Sequence, residues 1–485
     1  MLSKRRVPAG RSRTATALRA VCGAGVIGAV TLITLSALTA GEGCAEKAPA
    51  PAAATPIVIG VSLGLTGEND TFAAPLRDTI RVAEGQINAA GGLLGRPVHF
   101  DVRDDQSDET TIVTDVANQL VKEGVVAVVG PLGSQQVVLT QQIFADRQII
   151  QISPSATSTD LSTIQPADNR FLFRTTPSDD FQGAAVILFA QKTPQGLGDA
   201  GAPLNDAGVP VTCNRLAIVN IDNSYGNSMA DVIAANFPKR GVGRSIVLHQ
   251  KLGVDVAATY ATEAAALVAS KPDCAALISY AKVAAQYVHD VKGDPGYKAL
   301  SDKNFFFIGT DGVFTPGFLQ LSLQNQSDET SPSTAEGVFG TNPDTNPNTK
   351  EYNEFKTIYR SYFPALPDAP AFTANTYDAA ILIALAIQEA GTVTDRVAIR
   401  EALRKVATPP GKPFTPAQIG EALLAIRQGQ DIDYKGASGN VDLEPNGNVK
   451  AGFIVWQAFR DPMTKKVDYR TVAQFTTEEL LDQIK

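Results

Sequence analysis

The sequence predicts an α/β fold made of two doubly wound, parallel-sheet lobes. Short apolar runs alternate with stretches in which apolar residues recur at helical spacing, and this alternation occurs in two separate series. The chain of 485 residues is long enough for two or three compact units. Its apolar share of 44%, against 19% charged residues, is ordinary for a globular protein and argues against wholesale disorder.

The first series begins after a Pro/Ala-rich segment. Its apolar runs predict strands at residues 57–63, 98–102, 125–129 and 149–152. Helical spacing predicts helices that include Leu76 and Ile112, and a third helix over residues 134–147. Strands this apolar, separated by helices, indicate βαβ units and a parallel sheet covered on both faces.

The second series repeats the pattern, with strands predicted at residues 216–221, 245–248, 275–279 and 305–309. Crossings are expected near residues 173–175, 338–341 and 439–440, which gives a three-strand hinge between the lobes. The first lobe is then residues 57–173 plus 342–438, and the second is residues 174–341 plus 439–485. Two polar stretches predict surface insertions, at residues 193–211 and 320–335.

The N-terminus has the features of an export signal. Six cations, the last of them Arg19, precede an uncharged run over residues 20–41. Residues 1–43 resemble a bacterial lipoprotein signal in which Cys44 becomes lipidated, and residues 44–56 then form a Pro/Ala tether. Two alternatives are cleavage after Ala40 by ordinary signal peptidase and an uncleaved membrane anchor.

The charge balance excludes one class of partner. The full chain carries a formal net charge of -8, and removal of the basic leader makes the remainder more acidic. A body this acidic lacks the basic surface that nucleic-acid binding requires. We therefore expect no nucleic-acid partner.

Polar residues follow the predicted strands at the edge where parallel sheets bind ligands. Ser134 follows the third strand, and Ser155, Ala156 and Thr157 follow the fourth. Hydroxyls and backbone N–H groups at a helix start bind anions such as carboxylates. Helix capping or a turn is the simpler interpretation of any one of these residues. Their occurrence together predicts an anion-binding site.

The second series places an acid at the corresponding edge. Asp311 follows the strand at residues 305–309, and Tyr225 follows the strand at residues 216–221. A carboxylate suits a charge-assisted hydrogen bond to an ammonium group. An anion site and a cation acceptor on separate lobes together predict a zwitterionic ligand held between them.

The chain resembles the bacterial branched-chain amino-acid-binding proteins, the type I periplasmic solute receptors of ABC transporters. The similarity runs from about residue 57 to about residue 475. It is carried by the motifs "INAAGGLLGRPV", "VRDDQSD", "VVAVVGPLGS", "ISPSATSTDL", "FRTTPSDDFQG", "IDNSYG" and "IGTDG". The resemblance implies the type I periplasmic binding protein fold.

The resemblance also implies roles for individual residues. Ser134, the backbone at Ser155 and the hydroxyl of Thr157 would hold the α-carboxylate of the ligand. Asp311 would accept the α-ammonium. Phe72 would cover the side chain of the ligand, and Tyr225 matches a tyrosine of the cleft. Ala156 and, with weaker correspondence, Tyr280 complete the expected site.

The implied function is an extracytoplasmic receptor of an ABC transporter that closes around a small amino acid, branched-chain or otherwise aliphatic. Its partners would be the amino acid, an ABC permease and the membrane, reached through a lipid anchor. Neither a cofactor nor a metal is expected. Two alternatives keep the fold: a receptor for an amide, urea or aromatic acid, and the sensing component of a signalling system.

An exported α/β enzyme is the other class considered. No G-x-S-x-G elbow follows a predicted strand. The three histidines, at positions 99, 249 and 289, lack the spacing of metal ligands. We therefore expect the protein not to be an enzyme.

Two cysteines, Cys213 and Cys274, lie in the body of the chain, each directly before a predicted strand. Those strands would be neighbours in a doubly wound sheet, and export exposes the thiols to an oxidising compartment. The sequence leaves open a disulfide or two buried free thiols.

Overall fold

A computed structural model of the chain describes residues 54–191, 212–345, 348–364 and 370–484. The predicted export signal, Cys44 and the insertion at residues 193–211 lie outside the described residues. Among the described helices, none has the uninterrupted apolar length that a membrane span needs.

The strands and helices are numbered in chain order. The strands are β1 (Ile57–Leu63), β2 (Val98–Asp104), β3 (Ala127–Val129), β4 (Ile150–Ser153), β5 (Leu172–Arg174), β6 (Arg215–Ile221), β7 (Ser245–Leu252), β8 (Cys274–Ile278), β9 (Phe306–Gly309), β10 (Phe339–Pro343), β11 (Lys412–Phe414), β12 (Ile432–Tyr434), β13 (Phe453–Arg460) and β14 (Val467–Phe475). The helices are α1 (Asp70–Ala89), α2 (Ile112–Lys122), α3 (Ser134–Ala145), α4 (Asp179–Gln191), α5 (Ser224–Asn236), α6 (Ala261–Ser270), α7 (Ala281–Gly293), α8 (Tyr297–Ser301), α9 (Pro316–Leu321), α10 (Lys350–Tyr362), α11 (Thr373–Ala390), α12 (Arg396–Ala407), α13 (Ile419–Arg427) and α14 (Thr477–Ile484).

The first sheet has five parallel strands in the order β2-β1-β3-β4-β5. The strands β1, β3, β4 and β5 are almost entirely buried, as continuous apolar runs predict for a sheet covered on both faces, whereas the edge strand β2 is partly exposed. The helix α11 is buried from Thr373 to Gln388, since it packs against α1, α12, α13 and the sheet. These elements share one hydrophobic core.

The second sheet has seven strands in the order β14-β13-β10-β9-β8-β6-β7. The strands β6 to β9 are parallel, as predicted, and β10, which was not predicted, pairs in parallel with β9. The strands β13 and β14 form an antiparallel hairpin at the edge. Buried and more exposed residues intermix along β14, which is typical of an antiparallel strand with one covered face. The two α/β sheets confirm the predicted fold class.

A disulfide joins Cys213 and Cys274 in the structure. The strands β6 and β8 are neighbours, with Leu216 paired to Cys274, so the two Cα atoms lie 5.7 Å apart. Of the two alternatives that the sequence leaves open, the structure has the disulfide.

The chain passes between the two cores at three places. It leaves the first core between β5 and α4 and returns between β10 and α10. Val449 packs in the first core and Phe453 in the second, so the third passage falls between them. The sequence had placed that passage at residues 439–440, where Gly439 instead marks a local turn with φ +115°.

Candidate functional site

The carboxyl ends of the two sets of parallel strands lie on either side of a small cavity, with an empty volume of about 300 Å³. Six of the residues singled out from the sequence line it. They are Ser134, Ser155, Thr157, Tyr225, Tyr280 and Asp311. The first three come from the first sheet and the other three from the second, so the cavity lies between the two lobes.

Neutral hydrogen-bonding groups form the wall on the side of the first sheet. Ser134 opens α3, and its Oγ accepts a hydrogen bond from the N–H of Ser158 at 3.1 Å, which leaves its own proton to donate. The N–H groups of the first helical turn have no partner within the helix, so this end of α3 favours an anion. The wall can therefore hold a carboxylate without a positively charged side chain.

Ser155 and Thr157 differ in how their hydroxyls are used. The hydroxyl of Ser155 donates its proton to the carbonyl of Leu132 at 2.9 Å, so Ser155 can donate to a ligand anion only through its backbone. The Oγ1 of Thr157 is buried and makes no hydrogen bond of normal geometry, but it lies close enough to the Asp179 carboxylate to lower the pKa of that group. Buried polar atoms are nearly always hydrogen-bonded in folded proteins, so this hydroxyl has two available acceptors, the Asp179 carboxylate and a ligand in the cavity.

Ala156 lies beneath the cavity rather than on its wall. Its N–H donates to the Oγ of Ser153 at 3.1 Å, and its methyl group packs with Leu161 and Leu172. The structure therefore places Ala156 in a supporting position, where it fixes the turn that presents Ser155 and Thr157.

Charged and phenolic groups form the wall on the side of the second sheet. The Oδ1 of Asp311 accepts a hydrogen bond from the phenol of Tyr225 at 2.7 Å, and that phenol lies 2.6 Å from the hydroxyl of Thr310. Burial raises the pKa of Asp311 to about 6, against the hydrogen bond from Tyr225, which lowers it. Asp311 is thus an acid that a ligand cation would stabilise in its ionised form.

The residue after Asp311 has to be glycine for steric reasons. A Cβ atom at Gly312 would lie 2.5 Å from the carbonyl oxygen of Ser279 and 3.4 Å from the Tyr225 hydroxyl. The Asp-Gly pair that the sequence offers as a common turn therefore also allows close packing beside the cavity.

A second buried acid, Asp179, was missed by the sequence reasoning. Its N–H donates to the carbonyl of Thr157 at 2.8 Å, and it is fully buried. Neither carboxylate oxygen makes a hydrogen bond of normal geometry, although the nearby Thr157 hydroxyl and the Arg174 cation both act to lower its pKa. Burial first, and then the negative charge of Asp311, raise its pKa well above the usual value. Asp179 does not line the cavity itself, but its carboxylate lies close enough to Asp311 for the two charges to interact.

The signal for Asp179 was present in the sequence. The segment "FRTTPSDDFQG" begins in β5, and its polar residues follow that strand in the way that Ser155 and Thr157 follow β4. A survey of polar residues after this fifth strand would have included Asp179.

Aromatic side chains and one amide complete the wall. Tyr280 stacks on Tyr225 with the ring centroids 5.7 Å apart and the planes 16° from parallel. Asn69 and Phe372, neither of them predicted, also line the cavity. The side chain of Phe72, expected to cover the ligand, lies outside the described residues.

Hydrogen bonds join the two lobes on opposite sides of the cavity. On one side, Ser224 donates from its N–H to the Oε1 of Gln135 at 3.2 Å, and its hydroxyl donates to the Oδ2 of Asp160 at 2.9 Å. On another, Lys282 donates to the carbonyl of Gly67 at 2.6 Å and pairs with Asp70 at 3.1 Å. The lobes are in contact across the cavity.

A family model described as periplasmic binding protein matches residues 56–422 of the chain. The chain belongs to the periplasmic binding protein family. It is a type I binding protein similar to the Leu/Ile/Val-binding proteins, a solute-binding receptor and not an enzyme. Among the described residues, no group of three or more His, Cys, Asp or Glu side chains is arranged to hold a metal ion.

Named relatives agree with this membership. The chain is 28% identical over 417 residues to the chemotactic signal transduction system substrate-binding protein BasB of Halobacterium salinarum, covering 84% of this chain and 87% of BasB. It is 26% identical over 378 residues to the Leu/Ile/Val-binding protein BraC3 of Rhizobium johnstonii, covering 77% and 89%. The crystal structure of the leucine-binding protein LivK of Thermotoga maritima matches with a TM-score of 0.65 at 18% identity, covering 87% of this chain and 99% of LivK. That last similarity concerns the fold alone.

Proposed function

We propose that the protein captures an α-amino acid between its lobes and presents it to an ABC permease. The observation that carries the proposal is the asymmetry of the cavity, which has neutral hydrogen-bond donors on one wall and buried carboxyl groups on and behind the other. A zwitterionic head group matches both walls at once. Hinge closure around the ligand would bring the walls together.

The α-carboxylate would bind to the wall of the first sheet. Ser134 keeps a hydroxyl proton to donate, Thr157 has a buried hydroxyl with no hydrogen bond of normal geometry, and α3 begins at this point. A helix N-terminus carries a partial positive charge, which stabilises an anion at this position.

The α-ammonium would bind beside Asp311, with Asp179 as a second negative charge behind it. Two buried carboxyl groups that repel each other both have raised pKa values, and an ammonium placed next to them relieves that cost. The hydrogen bond from Tyr225 orients the Asp311 carboxylate for this contact.

The side chain of the ligand is the finer part of the proposal. The names of the relatives, among them a Leu/Ile/Val-binding protein, favour a branched-chain or other aliphatic amino acid. Leu132, Phe372 and Tyr280 give the cavity apolar wall against which such a side chain would pack.

Ligands without an ammonium group fit the site less well. An aromatic acid, amide or urea would leave Asp311 buried without a ligand cation beside it, which is costly. We therefore rank these ligands below an α-amino acid.

A sensing role is the second candidate, because BasB is named as part of a chemotactic signalling system. It uses the same ligand site and differs in the partner that recognises the closed lobes. Crosslinking of ligand-loaded protein in membranes distinguishes the two, since transport requires contact with a permease and signalling requires contact with a transducer.

The experiment that tests the proposal is a thermal-shift screen of the mature protein against the twenty amino acids, simple amides and aromatic acids. A ligand at about 100 times its dissociation constant stabilises the folded protein by about 2.7 kcal/mol. We expect stabilisation by at least one α-amino acid and none by its N-acetyl or methyl-ester derivative. Stabilisation only by a compound that lacks the ammonium group would contradict the proposal.

The anchor at Cys44 remains a proposal of the same kind. Metabolic labelling with palmitate is expected to tag the wild-type protein and not the Cys44→Ala variant, since the thiol that would be lipidated is lost. Absence of the label from the wild-type protein would exclude the lipid anchor.

A further inference from the structure

A second cavity adjoins the first between the two lobes. Its empty volume is about 780 Å³, including the part open to solvent, compared with about 300 Å³ for the first cavity. Asn69 and Tyr280 line both cavities, so these two side chains form the shared wall. A ligand whose head group occupies the first cavity would therefore pass Asn69 and Tyr280 to reach the second cavity.

The second cavity is lined by acids from both lobes. Glu68, Asp108 and Glu109 come from the first lobe and Asp255 from the second, and no Lys, Arg or His is among the lining residues that the structure describes. Lys282 is near Glu68, but its ammonium is bonded to the carbonyl of Gly67 and to Asp70. The acids outnumber the cations around this cavity.

These acids differ in how many hydrogen bonds their carboxylates accept from the protein. The Asp108 carboxylate accepts hydrogen bonds from the N–H groups of Thr110 and Ile112, so it stabilises the loop to which it belongs. The Oε1 of Glu109 accepts a hydrogen bond from Asn223 at 2.7 Å, yet burial raises the pKa of Glu109 to about 7. The Oε2 of Glu68 is buried without a partner, and burial raises the pKa of Glu68 as well.

Asn69 provides an independent indication of a ligand. Its side chain is 2% exposed, and its Oδ1 has no hydrogen-bond partner, although its Nδ2 lies 3.5 Å from the Oε1 of Gln136. An orphaned acceptor at the junction of the two cavities requires a donor from outside the protein. Acceptor groups therefore line the path from the head-group site into the acidic cavity.

We propose that the second cavity is the side-chain site of the receptor and that it selects an α-amino acid with a cationic side chain, of the lysine, ornithine or arginine class. Glu68 and Glu109 would hold the terminal cation in charge-assisted hydrogen bonds, and the Oδ1 of Asn69 would accept a donor from the ligand. This inference rests on the proposed function for the head group, and it departs from the aliphatic side chain suggested by the names of the relatives.

The test compares ligands that differ only in side-chain charge. Isothermal titration of the mature protein with L-lysine and L-norleucine, and with L-arginine and L-citrulline, keeps the head group constant and the side-chain length constant to within one atom in each pair. We expect the charged member of at least one pair to bind about tenfold more tightly or better, and we expect added salt to narrow the difference.

A double variant, Glu68→Gln with Glu109→Gln, tests the assigned residues. Glutamine keeps an acceptor for Asn223, so the inter-lobe hydrogen bond survives while both negative charges are removed. We expect the preference for the charged ligand to disappear while the affinity for L-norleucine or L-citrulline changes less than about threefold. The matched control is Asp302→Asn, an exposed acid on the surface near α8 that is paired with Lys298, and it should change neither affinity.

The outcomes separate the two proposals. Tight binding of leucine or norleucine with no gain from the cation would overturn this inference and leave the α-amino-acid receptor intact. A charge preference that persists in the double variant would overturn the assignment to Glu68 and Glu109. Failure of every α-amino acid to bind the wild-type protein would instead overturn the proposed function itself.

Discussion

The two walls of the inter-lobe cavity favour opposite charges, the first an anion and the second a cation, and they are built from different kinds of groups. The wall of the first sheet uses hydroxyls and the start of α3, and the hydroxyls of Ser134 and Ser155 already take part in hydrogen bonds within the protein. The opposite wall uses the carboxyl of Asp311, whose charged form is disfavoured by burial and which interacts with the buried carboxyl of Asp179 beside Thr157. Neutral donors are inexpensive to bury, whereas buried charges are not, so ligand binding should depend far more on the charged side.

Asp311→Asn is expected to have the largest effect. The substitution keeps the shape of the side chain and the acceptor for the Tyr225 hydroxyl but removes the charge that would neutralise the ammonium. A ligand cation left unpaired in a buried site costs about 2–5 kcal/mol, which corresponds to a loss in affinity of roughly 30-fold or more. Isothermal titration with the amino acid that gives the largest thermal shift measures this loss.

The matched control is again Asp302→Asn, which removes an exposed carboxylate far from the cavity wall. It should leave the affinity unchanged. An Asp311→Asn protein that folds normally and binds as tightly as the wild type would show that the ammonium is held elsewhere.

Asp179→Asn should affect affinity and stability in opposite directions. The carboxylate is fully buried, and burial together with Asp311 raises its pKa, so removal of the charge should raise the melting temperature of the ligand-free protein, by an amount that the lost interactions with Arg174 and Thr157 reduce. The same change weakens the negative potential around the ammonium, so the affinity should fall by about tenfold, less than in Asp311→Asn. Differential scanning fluorimetry and titration on the same sample measure both effects.

A lower melting temperature for Asp179→Asn would contradict this account, because it would show that the carboxylate stabilises the ligand-free fold. An affinity equal to that of the wild type would restrict the role of Asp179 to folding.

The sequence predicts β1 to β4 and β6 to β9 because each includes a nearly continuous apolar run, whereas β5 and β10 to β14 were not predicted. Ile57–Leu63 has its predicted bounds, and β6 starts one residue before its predicted first residue. The third passage between the cores was placed wrongly because the turn signal at Gly439 marks a local reversal, while the neighbouring apolar residues up to Val449 still pack in the first core. A turn signal shows where the chain bends and does not show which core the next residues join.

Single residues of the candidate site can be predicted from the sequence, but the electrostatic interactions between them cannot. Polar residues after strands identified Ser134, Thr157 and Asp311, and the resemblance assigned their roles. The interaction of Asp179 with Asp311 arises because the chain brings two distant segments together, and no local pattern encodes that proximity. The acidic second cavity has the same origin, since Glu109 and Asp255 meet there only after folding.

The pH dependence of binding should reflect the charged wall. The free carboxyl of Asp311 has a pKa raised to about 6, and a bound ammonium would lower it, so ligand binding requires the ionised form. Affinity should be nearly constant above this pKa and should be lost as the pH falls through it, by about tenfold between pH 7 and pH 5. Asp179, whose pKa is also raised, should add to the loss.

Titrations across this range check the prediction, with the Asp311→Asn variant as the control that should lose most of the pH dependence. An affinity that rises as the pH falls would mean that the protonated acid is the binding form, and the charged wall would then not hold the ammonium.

Thr157→Val should have the smallest effect and sharpens the contrast between the two walls. Valine keeps the branched shape and removes only the hydroxyl, so the expected cost is one hydrogen bond, about 1.5–3 kcal/mol if its acceptor is a carboxylate and about 1 kcal/mol if the acceptor is neutral. Because the N–H groups of α3 and the hydroxyl of Ser134 remain, we expect the lower end of this range, roughly a fivefold to tenfold loss in affinity. Stability of the ligand-free protein should be unchanged or slightly higher, since a buried hydroxyl with no hydrogen bond of normal geometry is lost. A loss as large as that of Asp311→Asn would mean that a neutral hydroxyl contributes as much as a buried charge, and the proposed division between the two walls would then be wrong.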